Sequence, residues 1–279
     1  MGKKLLLLTD FSKHSWNAIR YAIKLYEQRP CNFYILNTYR KESQGHDNLA
    51  MDPEDSFNKM CKNRSEEGLG DILNRIFEIN RFVDHQFYVI SRAGTLLDAV
   101  RDIVEKQEID MIFLGAKGLH NDQKNKYGKN TLDIIQNIRS CPVMVVPNNI
   151  TLGLPKKIVL VTNFNVNFDF LEMEHFAEIA RLTKAKIKVL GLAKNEMLDQ
   201  QQRKNKLRLI AHFNGMDYSF HTLGKIKMEE ALNSLDMGSG NMISYVDKKP
   251  SLWEILGFDT PTLNKMGYLK DTAVLALHG

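Results

Sequence analysis

The chain has 279 residues, of which 43% are hydrophobic and 25% are charged, a composition typical of a globular protein with enough length for two domains. No apolar run approaches the ~18 residues that a membrane span needs. The modest net charge of +5 forms no basic stripe, which argues against nucleic-acid binding, and the three widely spaced cysteines, Cys31, Cys61 and Cys141, favour a reduced, cytoplasmic protein.

The first half begins with a pattern that predicts a buried strand. Its apolar stretch, Leu5–Leu8, stops at Thr9 and Asp10 and is too short for the hydrophobic region of a signal peptide. Ser12 or Ser15 can cap the helix that follows. In chain order the pattern then predicts a strand at 31–37, a polar loop at 40–55, a helix at about 53–80, a strand at 87–91, a helix after Gly94 and Thr95, a strand at 111–114, a helix at about 131–138 and a strand at 143–146.

The second half repeats this plan. The segment Lys3–Phe11 recurs as Lys156–Phe164, and Asn167 or Asp169 can cap the helix after it. Further strands are predicted near 185–192, 219–222, 242–246 and 273–277. We therefore predict two domains, 1–148 and 155–279, joined by a linker at 148–155.

Short apolar strands that alternate with amphipathic helices predict parallel sheets covered on both faces. The predicted fold class is α/β, with two tandem doubly wound, mainly parallel five-stranded sheets of the Rossmann-like type. In such sheets ligands bind beyond the carboxyl ends of the strands.

A glycine-containing loop follows the fourth predicted strand. The chain reads Gly115, Ala116, Lys117 and Gly118, then nine residues, then Gly128. Glycines directly after a buried strand let backbone amides approach phosphate oxygens. Lys129, Asn130 and Thr131 then open a helix, whose first amides favour an anion.

With Thr9 and Asp10 at the end of the first strand, this Gly-x2-Gly-x9-Gly loop resembles that of the ATP-binding universal stress proteins. Gly94 and the segment Cys141–Val146 extend the resemblance through the first half. The resemblance implies an adenine nucleotide α-hydrolase-like fold that binds ATP, ADP or AMP, with Mg²⁺ as an accompanying ion.

The resemblance also implies site residues. Asp10 would contact the adenine or the ribose, the backbone from Asn37 through Thr38 to Tyr39 would flank the base, and Gly115, Gly118 and Gly128 would cradle the phosphates. The residue after the third glycine is usually Ser or Thr in this family, whereas here it is Lys129, with Thr131 two positions later. Lys129 either replaces the hydroxyl with a charge or faces solvent.

Each of these residues also has a purely structural interpretation. Asp10 can act only as a helix-capping residue, and the glycines can serve tight turns alone. The lysines of the loop, including Lys117 and Lys129, are also typical of a solvated loop. His14 and His120 lie near the loop, but isolated histidines are weak candidates for catalysis or metal binding.

The second half lacks these features. Asn163 stands where Asp10 stands in the first half, and the fourth strand is followed by Asp247, Lys248, Lys249 and Pro250 with no glycine pair. We therefore expect no nucleotide in the second half by this mode, and a structural or partner-binding role for it. The resemblance implies that the fifth strands, 143–146 and 273–277, pair in an internal pseudo-dimer, and a homodimer is a further expectation.

Two function classes follow from these patterns. The first is a stress-response module that binds an adenine nucleotide and has no catalytic residues or metal site, with at most slow ATP hydrolysis. The second is a nucleotide-independent scaffold that interacts with a protein partner. A relative of the electron-transfer flavoproteins or nucleotidyl transferases is a third interpretation, but the signature loops of those proteins are absent.

Overall fold

The computed structural model describes residues 2–40, 53–79, 84–117, 126–192, 195–222, 232, 240–249 and 262–279. Its strands are β1 (Lys3–Leu8), β2 (Cys31–Tyr39), β3 (Gln86–Ala93), β4 (Met111–Gly115), β5 (Val143–Val146), β6 (Lys157–Thr162), β7 (Lys186–Gly191), β8 (Tyr218–Thr222), β9 (Asn241–Asp247) and β10 (Ala273–His278). Its α-helices are α1 (Lys13–Leu25), α2 (Pro53–Ile79), α3 (Leu96–Gln107), α4 (Lys129–Asn137), α5 (Phe170–Thr183), α6 (Gln200–His212) and α7 (Thr262–Lys265), and a short 3-10 helix covers Asn195–Met197.

The predicted elements are present, with small shifts at their ends. Ser12 caps α1 by accepting a hydrogen bond from the backbone N–H of Ser15, and Asp169 caps α5 in the same way through the N–H groups of Leu171 and Glu172. Helix α4 begins at Lys129, directly after Gly128, because Gly128 adopts the extended conformation of an N-cap.

The ten strands form one continuous sheet in the order β3-β2-β1-β4-β5-β10-β9-β6-β7-β8. Every neighbouring pair is parallel except β5 and β10, which pair antiparallel with Val274 opposite Val145. The predicted α/β class is therefore confirmed, with the two five-stranded sheets joined through the predicted pairing of the fifth strands. This pairing removes two sheet edges that would otherwise expose unpaired backbone groups.

The strands carry continuous apolar runs because helices cover both faces of the sheet. Leu5 and Leu7 of β1 lie in one apolar layer, and Leu6 and Leu8 lie in the other. Each layer contains residues from both halves. Among the described helices, none is long and apolar enough to cross a membrane.

A buried carboxylate on α5 links the two halves near the amino ends of the strands. The Glu178 side chain is 8% exposed and forms ion pairs with Lys3 at 2.9 Å and with Arg29 at 2.5 Å. Charge-assisted bonds of this kind hold a buried group only while both partners are present.

We expect Glu178→Gln to lower the free energy of unfolding by about 1.5–3 kcal/mol, because Arg29 loses this counter-charge while Lys3 keeps Asp110. Urea denaturation measures this change. Glu174→Gln on the same helix is the matched control, since Glu174 and its partner Arg181 are both about half exposed, and exposed pairs contribute little. Equal effects of the two substitutions would contradict a structural role for Glu178.

Candidate functional site

The end of β1 forms a tight turn into α1. The hydroxyl of Thr9 accepts a hydrogen bond from the backbone N–H of Phe11 at 3.0 Å, and Asp10 Oδ1 accepts one from the N–H of Ser12 at 3.1 Å. Phe11 takes a left-handed backbone conformation with φ of 63°, which is unfavourable for a bulky residue. The side chains of Thr9 and Asp10, which precede Phe11, accept these two hydrogen bonds and hold the chain in this conformation.

The second half contains the same turn. Phe164 has φ of 61°, its N–H donates to the hydroxyl of Thr162, and Asn163 Oδ1 accepts from the N–H of Asn165 at 3.0 Å. An asparagine therefore makes the bond that Asp10 makes in the first half. The turn requires a side-chain oxygen at this position but does not require a negative charge.

Asn37 lies in a buried polar chain beneath the turn. Its Nδ2 donates to the carbonyl of Thr9 at 2.8 Å, and its Oδ1 accepts from the hydroxyl of Ser65 at 2.7 Å. Ser91 in turn donates to Ser65 at 2.8 Å. These bonds fix the carboxyl ends of β1, β2 and β3 relative to α2. The side chains of Thr9 and Asn37 are thus used within the protein, while Thr38 and Tyr39 lie partly exposed at the end of β2.

Sequence reasoning missed the part that Ser65 plays. It lies in the middle of α2, and no motif distinguishes it from the other polar residues of that helix.

Gly115 is required by the packing of β4 against α1. A Cβ atom at this position would lie 2.8 Å from Cβ of His14 and 2.9 Å from its carbonyl carbon. Contacts this short do not occur between real side chains and a helix backbone. The absence of a side chain at Gly115 therefore has a structural cause that is independent of any phosphate.

Gly128 and Thr131, at the start of α4, donate hydrogen bonds to the first two residues of the loop. The N–H of Gly128 donates to the carbonyl of Ala116 at 2.9 Å, and the buried hydroxyl of Thr131 donates to the carbonyl of Gly115 at 3.1 Å. Because a hydroxyl has one proton to donate, Thr131 stabilises the loop in this arrangement.

The N-cap residue of α4 is a glycine and provides no side-chain cap. Gly128 makes no side-chain hydrogen bond, and within the described ranges no other side chain caps the first amides of α4, which can bond to solvent or to an anion. Lys129 and Asn130 are exposed in this first turn. Cationic Lys129 therefore lies beside amides that favour negative charge.

His14 and Lys117 lie at the other end of the loop. Burial lowers the pKa of His14, the charge of Lys117 lowers it further, and the charge of Asp10 acts in the opposite direction. The His14 Nδ1 atom is buried and has no hydrogen-bond partner within the part of the chain that the structure describes. Asp10, His14 and Lys117 are thus close enough to interact electrostatically.

Some predicted residues lie outside the described ranges, namely Gly118, His120, Pro250 and most of the polar segment at 40–55. In the ranges that are described, no group of three or more His, Cys, Asp or Glu side chains is arranged to hold a metal ion.

Comparison with known proteins identifies the family. The sequence profile of the Universal stress protein family matches residues 1–147. The chain belongs to this family. No curated protein sequence matches the chain.

Solved structures similar to this one include two that span the whole chain. A universal stress protein from Archaeoglobus fulgidus is 14% identical, covers 99% of this chain and 98% of its own, and has a TM-score of 0.69. A Pseudomonas aeruginosa protein of unknown function is 12% identical over 99% of this chain and 92% of its own, with a TM-score of 0.57. A universal stress protein in complex with cAMP is 16% identical over 52% of this chain and 97% of its own, with a TM-score of 0.36.

The second half has different side chains at the edge that corresponds to the loop of the first half. Met111 pairs with Leu5 in the first half and Met242 with Ile158 in the second, so the strand registers place Val246 where Gly115 stands. Asp247 then takes the place of Ala116.

Asp247 is buried and forms an ion pair at 3.1 Å with Arg139, which comes from the first half. Arg139 also donates to the carbonyls of Asp247, Lys248 and Gly279. A valine side chain and a buried ion pair therefore stand where the first half has two small residues.

Proposed function

We propose that the first half binds an adenine nucleotide, ATP or its relatives ADP and AMP, and that the protein acts in the stress response through this binding. The second half supports the first or binds a protein partner, and it binds no nucleotide by this mode. A cytoplasmic location and a homodimer belong to the same proposal.

The observation that carries the proposal is the pair of identical turns at Asp10 and Asn163. Since Asn163 makes the turn without a charge, the turn does not account for the negative charge of Asp10. A carboxylate at the carboxyl end of a parallel strand is well placed to accept hydrogen bonds from ribose hydroxyls or an adenine amine. The uncapped N-terminus of α4 supports the phosphate end of the same site.

No residues are proposed as catalytic, and Mg²⁺ would come with the phosphates of the nucleotide. Hydrolysis needs a residue that positions water and ligands for the ion, and neither follows from the described side chains. Slow ATP hydrolysis and a nucleotide-independent scaffold remain the alternative functions.

Asp10→Asn tests the proposal without disturbing the fold, because it copies the turn of the second half. We expect the dissociation constant for ATP to rise about tenfold or more, since a hydrogen bond to a charged group contributes about 1.5–3 kcal/mol. Isothermal titration with ATP, ADP, AMP and cAMP in the presence of Mg²⁺ measures this change. Mass spectrometry of the freshly purified protein identifies any nucleotide that it retains.

Asn163→Asp is the matched control and should leave ATP affinity unchanged, because it adds a charge only at the second edge. Unaltered ATP affinity in a folded Asp10→Asn variant would argue against the proposed position of the nucleotide. A wild-type protein that neither retains nor binds any of the four nucleotides would favour the scaffold function.

A further inference from the structure

A segment of the second half reaches the candidate nucleotide loop of the first half. Tyr268 and Leu269 lie between α7 and β10. The Nζ atom of Lys117 is 4.6 Å from the centroid of the Tyr268 ring, within the range of a cation–π interaction. The ring of Tyr127 meets the ring of Tyr268 edge to face, with centroids 5.1 Å apart and an interplanar angle of 64°.

Tyr268 therefore touches the loop on both of its described sides. Lys117 follows the end of β4, and Tyr127 precedes Gly128, the N-cap residue of α4. The backbone N–H of Leu269 also donates to the hydroxyl of Tyr127 at 3.3 Å. Tyr127 is 5% exposed and belongs to the same apolar layer as Leu263 and Met266 of the second half.

Each half contributes a segment to the carboxyl edge of the other half. Arg139 lies just before β5 and reaches the carboxyl edge of the second half, whereas Tyr268 lies just before β10 and reaches the carboxyl edge of the first. The antiparallel pairing of β5 and β10 places these two segments on opposite sides of the junction. Arg139, which reaches the second half, is paired with the buried Asp247. Tyr268, which reaches the first half, instead contacts Lys117 of the loop.

Building on the proposed function, we propose that Tyr268 is a positioning residue of the nucleotide site, supplied by the second half. A lysine loses up to about 2 kcal/mol of side-chain entropy when it is fixed, and a lysine already held on a ring loses less when an anion binds. In the proposed bound state, the ammonium group of Lys117 lies against the ring and donates hydrogen bonds to phosphate oxygens. Nucleotide binding in the first half is thereby coupled to the packing of the second.

A double-mutant cycle between Lys117 and Tyr268 tests this coupling in the full-length protein. We expect Tyr268→Leu to weaken ATP binding about fivefold or more, as expected for loss of a cation–π contact that organises a ligand group. Tyr268→Phe should bind within about twofold of the wild type, because the contact uses the ring and not the hydroxyl. In a Lys117→Met background, Tyr268→Leu should have no further effect on ATP binding. A general loosening of the fold would instead weaken ATP binding in both backgrounds.

A second measurement follows the contact without nucleotide. Protons on the ε-carbon of Lys117 lie near the face of an aromatic ring, so their resonances should shift upfield in the wild type and in Tyr268→Phe, and this shift should disappear in Tyr268→Leu. The Lys117→Arg variant assigns the resonance.

The outcomes separate the two proposals. Equal or tighter ATP binding by Tyr268→Leu, or additive effects in the cycle, would overturn the positioning role while leaving the nucleotide site intact. Absence of ATP binding by the wild type would overturn both, even if the upfield shift showed that the contact between Lys117 and Tyr268 exists.

Discussion

Gly115→Ala should lower the free energy of unfolding of the first half by about 3 kcal/mol, at the upper end of the usual cost of overpacking. The added methyl group would meet Cβ and the carbonyl carbon of His14 at 2.8 and 2.9 Å, and the backbone nitrogen of Ser15 at 3.1 Å. Two of these three atoms belong to the backbone at the start of α1, so no rotamer change relieves the contact. The helix must move away from β4, which disturbs the turn at Asp10.

Urea denaturation followed by the fluorescence of Trp16 on α1 measures this effect, in a Trp253→Phe background that leaves Trp16 as the sole reporter. Gly70→Ala is the control. A Cβ atom at Gly70 meets nothing within 4 Å, and alanine favours the helix by up to about 1 kcal/mol, so this variant should be slightly more stable than the wild type. A stable Gly115→Ala protein that has lost only its ATP affinity would show that the glycine serves the phosphate and not the packing.

Much of the fold could be predicted because the chain repeats itself. The strands are apolar throughout, as buried parallel strands must be, and the recurrence of Lys3–Phe11 as Lys156–Phe164 marks the first strand of each half. The sequence patterns also narrow the helix caps to Ser12 or Ser15 and to Asn167 or Asp169, because capping depends on residues a few positions away, and the structure shows that Ser12 and Asp169 are the caps.

The candidate site was harder to interpret for a physical reason. A glycine that makes room for a helix and one that makes room for phosphate look alike in a sequence, and Gly115 makes room for α1. Thr131 donates inward to the loop, although its position after Gly128 suggests a ligand contact. The contacts of Arg139 with Asp247 and of Tyr268 with Lys117 join residues that are distant in the chain, and no local pattern encodes them.

Removing Glu172 or His278 should change the pH dependence of stability in opposite directions. These groups are neighbours at the carboxyl edge of the second half, where the backbone N–H of His278 donates to Glu172 Oε2 at 2.9 Å. The pKa of Glu172 is raised to about 7, mainly by burial and less by the charge of Asp169, while the His278 amide and Arg139 act the other way. Burial and then Arg139 lower the pKa of His278 to about 4, against a smaller opposite effect of the Cys141 backbone.

Both groups are therefore favoured as neutral species in the folded protein. Glu172 has a higher pKa folded than unfolded, so its contribution to stability is present below about pH 4.5 and is lost as the pH rises to about 7. His278 has a lower pKa folded than unfolded, so its contribution is present above about pH 6.5 and is lost as the pH falls to about 4. Over the shared range the two contributions oppose each other and largely cancel in the wild type.

Each substitution removes one side of this balance. As the pH rises from about 4.5 to 7, the free energy of unfolding of Glu172→Gln should increase relative to that of the wild type, by about 3 kcal/mol at most. As the pH rises from about 4 to 6.5, the free energy of unfolding of His278→Phe should decrease relative to that of the wild type by a similar amount, about 3 kcal/mol at most. Urea denaturation at half-unit pH intervals gives both difference curves, in which the titration of the other histidines cancels.

The double variant, Glu172→Gln with His278→Phe, is the control and should follow the wild type across the shared pH range, offset by a constant. Two difference curves of the same sign would mean that one of the groups is ionised in the folded state. Because the charge of Arg139 lowers both pKa values, Arg139→Met should shift the Glu172 curve to higher pH. It should also shift the low-pH loss of stability from His278 to higher pH. A shift in only one of the two curves would place Arg139 beside a single partner.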